Sequence, residues 1–450
     1  MNQSTLTTQK SYTAQKIVCW LLLLGLFLVL TRIGVRHYFR EEAVKPGTFP
    51  VSVGRVLALW ALALMLLQPI LAIRLRFLDR IFGLDRLLLG HRLAGIAALT
   101  LASLHPMLMY VSGLKKLGPM DSGQWPEAIG AFSICGLWFL VVSSLWRKFL
   151  AITYDQWLKL HKFMAPVVVL ALTHMFIIES AMRKGWILGF WVVILTLWGS
   201  ILLTEKLLFR PRRALNEAFV VASAGAAAEN IWRIDLKPAS DQNIFKFNPG
   251  QFAFLSFNNA EPGPEEHPFT IASAPAQTGA LQFLIKAAGD WTAQLNSVRA
   301  GDKVRVSGPF GVFSPWRHQT SRLILIAGGI GITPMLSILR QLREEKSSLA
   351  VKLIWTFQRS VGAPCLDEIA GMRQAIPAFE FVKIVTREAS GDAAACARFD
   401  KQALAKLIPE YQPGSLILLC GPTQMMRETR SGLAAIGYPN SAILSEEFSF

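Results

Sequence analysis

The chain is short of cysteine, of acid and of charge altogether. Its five cysteines, Cys19, Cys135, Cys365, Cys396 and Cys420, show no CxxC pair and no metal-ligand spacing. That pattern excludes a thiolate metal centre, and the three cysteines of the second half argue for a reducing compartment over a disulfide framework. Cys19 and Cys135 fall in apolar runs, where a cysteine behaves as a small hydrophobe. Charged residues are only 17% of the chain, with 30 acidic against 46 basic and a net charge of +16. No Lys/Arg block interleaved with aromatics accompanies that charge, so nucleic acid is excluded as a partner. There is no internal repeat and no low-complexity tract.

What the chain has is hydrophobic length. Of its 450 residues 52% are apolar, concentrated before Phe209. Such a length suggests two or three domains. Six runs are long enough to cross a hydrocarbon core: Ile17–Val35, Val51–Ile73, Leu87–Val111, Ala128–Trp146, Gln156–Ile178 and Trp186–Leu208. The first has too long an apolar core for a signal peptide and no small-residue cleavage site after it, so it reads as a retained span. Arg74, Arg76, Arg80 and Arg86, then Arg147 and Lys148, then Arg210, Arg212 and Arg213 mark cytoplasmic connections. Both termini are then cytoplasmic, although Lys115, Lys116, Arg183 and Lys184 lie on the opposite side. Spans three and five run in the same direction.

The third run reads GHRLAGIAALTLASLH from Gly90 to His105, and the fifth carries His161 and His174. His91 and His105 are fourteen positions apart, nearly four helical turns, which puts them on one face about 21 Å apart. Parallel spans place His91 at the depth of His161 and His105 at that of His174. Paired neutral imidazoles can supply both axial ligands of a haem. A lone membrane histidine would instead suggest an interhelical hydrogen bond. The thirteen-residue spacing leaves His174 off the face of His161, and Pro166 between them can rewind the helix. Arg92 and Lys162 follow the inner histidines, either pairing with haem carboxylates or snorkelling to headgroups. His37 and His318 read as solvated.

Beyond Phe209–Ala214 the pattern changes. Phe219–Ala222, Ile231–Leu236 and Phe252–Phe257 suggest short antiparallel strands, punctuated by Pro249-Gly250. His267-Pro268-Phe269-Thr270, continuing to Ser273, offers a hydroxyl and backbone amides at a strand edge for a flavin; the plain alternative is a strand edge with a turn. Gly289-Asp290-Trp291-Thr292 opens a short helix, suited to pyrophosphate or to simple capping. From Arg322, strand–helix alternation predicts a parallel sheet. Its first turn, AGGIGITPML, is a glycine-rich dinucleotide phosphate loop. It is not the GxGxxG fingerprint, and a tight glycine turn without a ligand is the competing explanation. The expected fold class is a multi-domain membrane protein: a cytoplasmic tail over 1–16, a six-span helical bundle over 17–209, an antiparallel β-barrel over 214–318 and an α/β parallel-sheet domain over 319–450.

Together these residues resemble the NADPH oxidase and ferric reductase family over nearly the whole chain. The resemblance implies a ferric-reductase-like transmembrane domain fused to a ferredoxin-reductase-type FAD/NAD(P) module. It implies His91 and His161 as inner and His105 and His174 as outer ligands of two b-type haems. His267, Pro268, Phe269, Thr270, Ser273, Gly289 and Thr292 correspond to FAD-holding positions. Gly328, Gly329, Gly331, Thr333 and Pro334 correspond to the nicotinamide dinucleotide loop, and Cys420, Gly421 and Pro422 to the turn that sets nicotinamide against flavin. Thr270, Cys420 and a terminal aromatic, Phe448 or Phe450, are the implied catalytic positions. Arg359 and Arg387 are placed to meet a 2′-phosphate, which favours NADPH over NADH. Lacking long insertions, a calcium-binding extension or a docking segment, the chain is expected to be a compact prokaryotic-type enzyme of the cell inner membrane with no obligatory subunit. The implied activity carries electrons from cytoplasmic NAD(P)H through FAD and haem to oxygen or a ferric chelate outside. Few outward carboxylates (Glu41, Glu42 and Asp121) stand ready for iron, which favours oxygen. The alternatives are a membrane-anchored cytoplasmic flavin reductase and a histidine-relay transporter.

Overall fold

The computed structural model describes residues 3–36, 48–112, 124–147, 149–209, 217–240, 245–258, 261–276, 279–359, 363–386 and 401–446. Among them, six helices are long and apolar enough to span a membrane: Tyr12–Gly34, Phe49–Ala72, Leu84–Val111, Trp125–Leu145, Gln156–Ile178 and Gly185–Phe209. The chain divides into two units. One holds Ala14–Leu78 and Arg86–Leu208; the other holds Met1–Thr13, Asp79–Asp85 and Phe209–Phe450.

The transmembrane unit turns many apolar side chains outward. Trp20, Phe132 and Val111 are 64%, 72% and 69% exposed. Such a surface is a liability in water but is what a bilayer solvates. Inside, Leu30, Ile33, Leu59, Leu66, Leu137 and Trp191 form a narrow core. With no water to satisfy polar groups, the spans bond to one another. The indole nitrogens of Trp60, Trp138 and Trp198 donate to Thr31 Oγ1, Ser103 Oγ and the Leu66 carbonyl at 3.1, 3.0 and 2.6 Å. The Ser133 hydroxyl donates to the Val167 carbonyl at 3.1 Å.

The fifth span is not one helix. Thr153 and Gln156 cap its start reciprocally, and the first segment runs Tyr154–His161. The chain then tightens, with Phe163 N–H donating to the Leu160 carbonyl at 3.0 Å and Ala165 N–H to the Lys162 carbonyl at 3.3 Å. A second segment runs Met164–Ile178. Pro166 has no N–H to offer the carbonyl of Lys162, so a regular helix cannot pass through. The rewinding therefore falls upstream of the proline, immediately after His161.

The other unit contains two sheets. Strands β1 (Ala218–Ala228), β2 (Ile231–Pro238), β3 (Phe252–Phe257), β4 (His267–Thr270), β5 (Leu281–Lys286) and β6 (Lys303–Phe310) are ordered β4-β3-β6-β1-β2-β5. All pairings are antiparallel, and an isolated bridge from Ile271 to Phe283 draws the two edges together. Along β6 buried residues alternate with less buried ones, the period of a strand covering a core on one face. Strands β7 (Arg322–Gly328), β8 (Ala350–Phe357), β9 (Phe379–Val385), β10 (Ser415–Cys420) and β11 (Ile443–Glu446) form a parallel sheet ordered β11-β10-β7-β8-β9. The chain proceeds from β7 through β8 to β9, then returns to lay β10 on the far side of β7. The crevice beyond the carboxyl ends of β7 and β10 is therefore a topological switch point.

Candidate functional site

Each of the four membrane histidines has its Nδ1 occupied. His91 faces the Gln68 carbonyl at 3.2 Å, His105 the Gly54 carbonyl at 3.1 Å and His174 the Pro126 carbonyl at 2.9 Å. A carbonyl only accepts, so these Nδ1 atoms carry the proton and Nε2 is left with a lone pair. His161 Nδ1 lies 3.4 Å from Ser144 Oγ. The acceptors Gly54 and Gln68 on span two are themselves fourteen residues apart, matching His105 and His91 on the antiparallel third span.

The histidines also pair as the depth argument requires. The rings of His91 and His161 are 6.0 Å apart, centre to centre. An imidazole nitrogen sits about 2 Å from a first-row metal, so this separation would leave room for one metal atom between the two rings. His105 and His174 are close enough to interact electrostatically. A Cβ on Gly130 would lie 2.7 Å from the His174 ring, so the missing side chain is what admits that imidazole. The donor set thus fits two bis-histidine haems. Arg92 and Lys162 are exposed at the inner tier, and neither has an ion pair among the described residues.

In the second unit, β4 is an edge strand, as a flavin-holding segment requires. The His267 ring lies 4.3 Å from Trp291, and Phe269 stacks on the same indole at 5.7 Å and 21°, so the HPFT and GDWT segments meet. Thr270 is buried at the end of β4, and the Ser273 hydroxyl accepts from Gln282 N–H at 3.1 Å. The Thr292 hydroxyl accepts from Ala288 and Gly289 N–H at 2.9 and 3.0 Å, shaping its own loop. Gly289 has open space where a Cβ would stand.

At the switch point the two glycine turns interlock. A Cβ on Gly331 would lie 2.4 Å from the Cys420 carbonyl oxygen, one on Gly421 3.0 Å from Gly328 Cα, and one on Gly328 2.8 Å from Pro422 Cδ. Only bare backbone fits where the two turns meet. The Thr333 hydroxyl donates to the Ile330 carbonyl at 3.0 Å, and Pro334 stands in the first turn of the helix Ile332–Glu344. Arg359 is exposed just beyond the carboxyl end of β8. Arg387, Phe448 and Phe450 lie outside the described residues.

Two carboxyls join this site without a sequence signal of their own. Glu446 pairs with Cys420 across β10 and β11, is buried, and its Oε2 has no hydrogen-bond partner among the described residues. Burial pushes its carboxyl well up, and so do Asp85 and Asp79. The Cys420 thiol is raised in turn by burial and by Glu446. Asp79 comes from the short helix Arg76–Phe82 and accepts Gly311 N–H at 3.2 and 3.3 Å. Arg317 beside it donates to the Arg80 carbonyl at 2.6 Å. Gly83 ends that helix at φ +87, and a Cβ there would meet Asp85 at 2.6 Å and Val312 at 3.0 Å.

Comparison with known proteins agrees with this layout. Residues 57–172 match the family described as ferric reductase like transmembrane component, 217–328 an FAD-binding domain and 325–431 an oxidoreductase NAD-binding domain. The reductase component of propane 2-monooxygenase from Mycolicibacterium goodii is 26% identical over 49% of this chain and 64% of its own length. The stachydrine N-demethylase reductase subunit of Rhizobium meliloti is 28% identical over 46% of this chain and 59% of its own. The chain thus spans less than two thirds of these curated relatives. A flavohemoglobin from Malassezia yamatoensis shares the fold at 18% identity and a TM-score of 0.51, over 90% of this chain and all of that one. With the transmembrane component, the FAD-binding domain and the NAD-binding domain matched in order, the chain is a membrane-spanning oxidoreductase built as a ferric reductase/NADPH oxidase-like fusion.

Proposed function

We propose that this chain carries electrons from NAD(P)H on the cytoplasmic side, through FAD and two b-type haems, to an acceptor across the membrane. The observation that supports this most directly is the shared state of the four histidines. All have Nδ1 engaged, and each tier offers two unprotonated Nε2 atoms. His91 and His161 would hold the inner haem, His105 and His174 the outer, with Arg92 and Lys162 near the inner propionates. When bound, the flavin takes up a hydride and the irons pass single electrons.

The remaining roles fall to the second unit. Gly328, Gly329 and Gly331, with Thr333 and Pro334, cradle the dinucleotide pyrophosphate at a helix start. Arg359 and Arg387 meet the ribose 2′-phosphate of NADPH. His267–Thr270, Ser273, Gly289 and Thr292 hold FAD; Cys420, Gly421 and Pro422 place the nicotinamide; Phe448 or Phe450 covers the flavin until it arrives. The arginine-rich connections put both termini in the cytoplasm, at the inner membrane. The acceptor would be oxygen or a ferric chelate, and the scarcity of outward carboxylates favours oxygen.

The test is transfer across a sealed membrane. Vesicles bearing the second unit outward are loaded with oxidised cytochrome c or a ferric chelate and given NADH or NADPH outside. Reduction of the trapped acceptor is the expected result; a flavin-only absorption spectrum would overturn the reading. The monooxygenase reductase relatives favour a second reading, a membrane-held flavin reductase serving a separate protein. Under it, His105→Leu leaves full turnover intact.

A further inference from the structure

His161 differs from the other three imidazoles in what its Nδ1 meets. Three histidines face backbone carbonyls at 2.9 to 3.2 Å. His161 faces the Ser144 hydroxyl at 3.4 Å. That hydroxyl donates its own proton to the Leu140 carbonyl at 2.7 Å and accepts the Trp157 indole N–H at 2.9 Å. Only an oxygen lone pair therefore remains for His161, so its Nδ1 also carries the proton. The same indole lies nearly flat on the imidazole, 5.0 Å away at 29°, and closes that side of the ring.

The two kinds of acceptor do different things to a ligand. A carbonyl pulls on the N–H and pushes the ring toward imidazolate, which strengthens Nε2 as a donor and favours ferric iron. A distant hydroxyl already accepting from an indole pulls less. We propose that Ser144, fixed by Leu140 and Trp157, is a positioning residue that makes His161 the weakest donor of the four, so that the inner iron has a higher reduction potential than the outer. This rests on the di-haem reading above. The order of filling follows: the inner tier takes the first electron, and the outer tier is reduced after it.

The test is a mediated potentiometric titration of the full-length detergent-solubilised protein, followed at the Soret band and by low-temperature electron paramagnetic resonance. The native protein is expected to show two one-electron waves. Ser144→Ala removes the acceptor and should raise one wave by up to tenfold in its equilibrium constant, about 59 mV, with a change in one low-spin signal and none in the other. Trp157→Phe keeps the stacked ring but frees the hydroxyl lone pair, so the same wave should move down by a smaller factor. Ser144→Thr should restore native values. Ser143→Ala is the packing control, since Ser143 donates to the same Leu140 carbonyl at 2.9 Å; both waves should stay in place. If Ser144→Ala fails to retain haem, the downward shift of Trp157→Phe decides. Unmoved waves in both variants, or an equal shift in Ser143→Ala, overturn the proposal alone. A native protein with no Soret band overturns the di-haem reading as well.

Discussion

The two units bury polar groups in opposite ways. In the transmembrane unit several neutral polar side chains lean on the backbone of a neighbouring helix: His91 on Gln68, His105 on Gly54, His174 on Pro126, Trp198 on Leu66. In the other unit a buried charge meets a charge. Arg340 grips Glu368 through two bonds of 2.7 and 2.6 Å and also reaches the Ala272 carbonyl and Gln282. Lipid allows neutral donors with local acceptors, because an ion there has no solvent to fall back on. The difference predicts which losses are cooperative and which stay local.

The largest effect is expected where the charges are paired. Burial pushes Glu368 up, but the hydrogen bond and charge of Arg340 outweigh it and hold its carboxyl below the ordinary value. Removing Arg340 as alanine leaves the Ala272 carbonyl and Gln282 Oε1 without their donor and Glu368 with only the longer contact to Arg343 at 3.7 Å, at a cost of about 3 kcal/mol. Chemical denaturation of the full-length protein, followed by tryptophan fluorescence, would show it. In the native protein this pair stabilises above the unfolded carboxyl value and weakens as acid protonates Glu368.

Next is the local loss. His105→Leu should abolish transfer to a trapped acceptor, by about a hundredfold or more, while NADPH-driven reduction of a soluble dye outside persists. Equal loss of both activities would mean that the membrane site is not independent of the flavin site.

Asp79 sharpens the contrast, because it is a buried carboxyl whose hydrogen-bond donor is a backbone amide, inside the charged unit. Burial raises it from 3.8 to about 6, against the pull of Gly311 and Leu84 N–H and of Arg317. A raised carboxyl stabilises the fold fully below its unfolded value and loses that contribution as pH climbs through about 6. Asp79→Asn keeps the acceptor and should flatten this decline, gaining about 1–2 kcal/mol at pH 7.5 in thermal unfolding. Gly331→Ala acts instead on the interlocked glycine turns, since its Cβ must push the Cys420 carbonyl aside. A rise in KM for the nicotinamide substrate of roughly tenfold, about 1.4 kcal/mol, would show in steady-state kinetics.

What the sequence made legible was what repeats or is locally forced. The apolar runs, the fourteen-residue histidine spacing, the edge strand at His267 and the glycine turn at Gly328 all rest on short-range pattern. The partners did not show. A backbone carbonyl such as that of Gln68 leaves no mark in residue type, and Ser144 looks like its neighbour Ser143. Gly130 matters only because His174 arrives from another helix. Asp79 meets Gly311 across 232 positions of chain. Pro166 announced a break in the fifth span, but not that the rewinding would fall upstream of it, directly after His161.

The matched spacing of Gly54 and Gln68 ties two helices into one gauge. Deleting a single residue between them would turn one acceptor about 100° around its axis, and no sliding of span two restores both contacts at once. Length changes in this segment are therefore forbidden even where almost any apolar side chain is tolerated. The segment can drift in composition, but it cannot change its count.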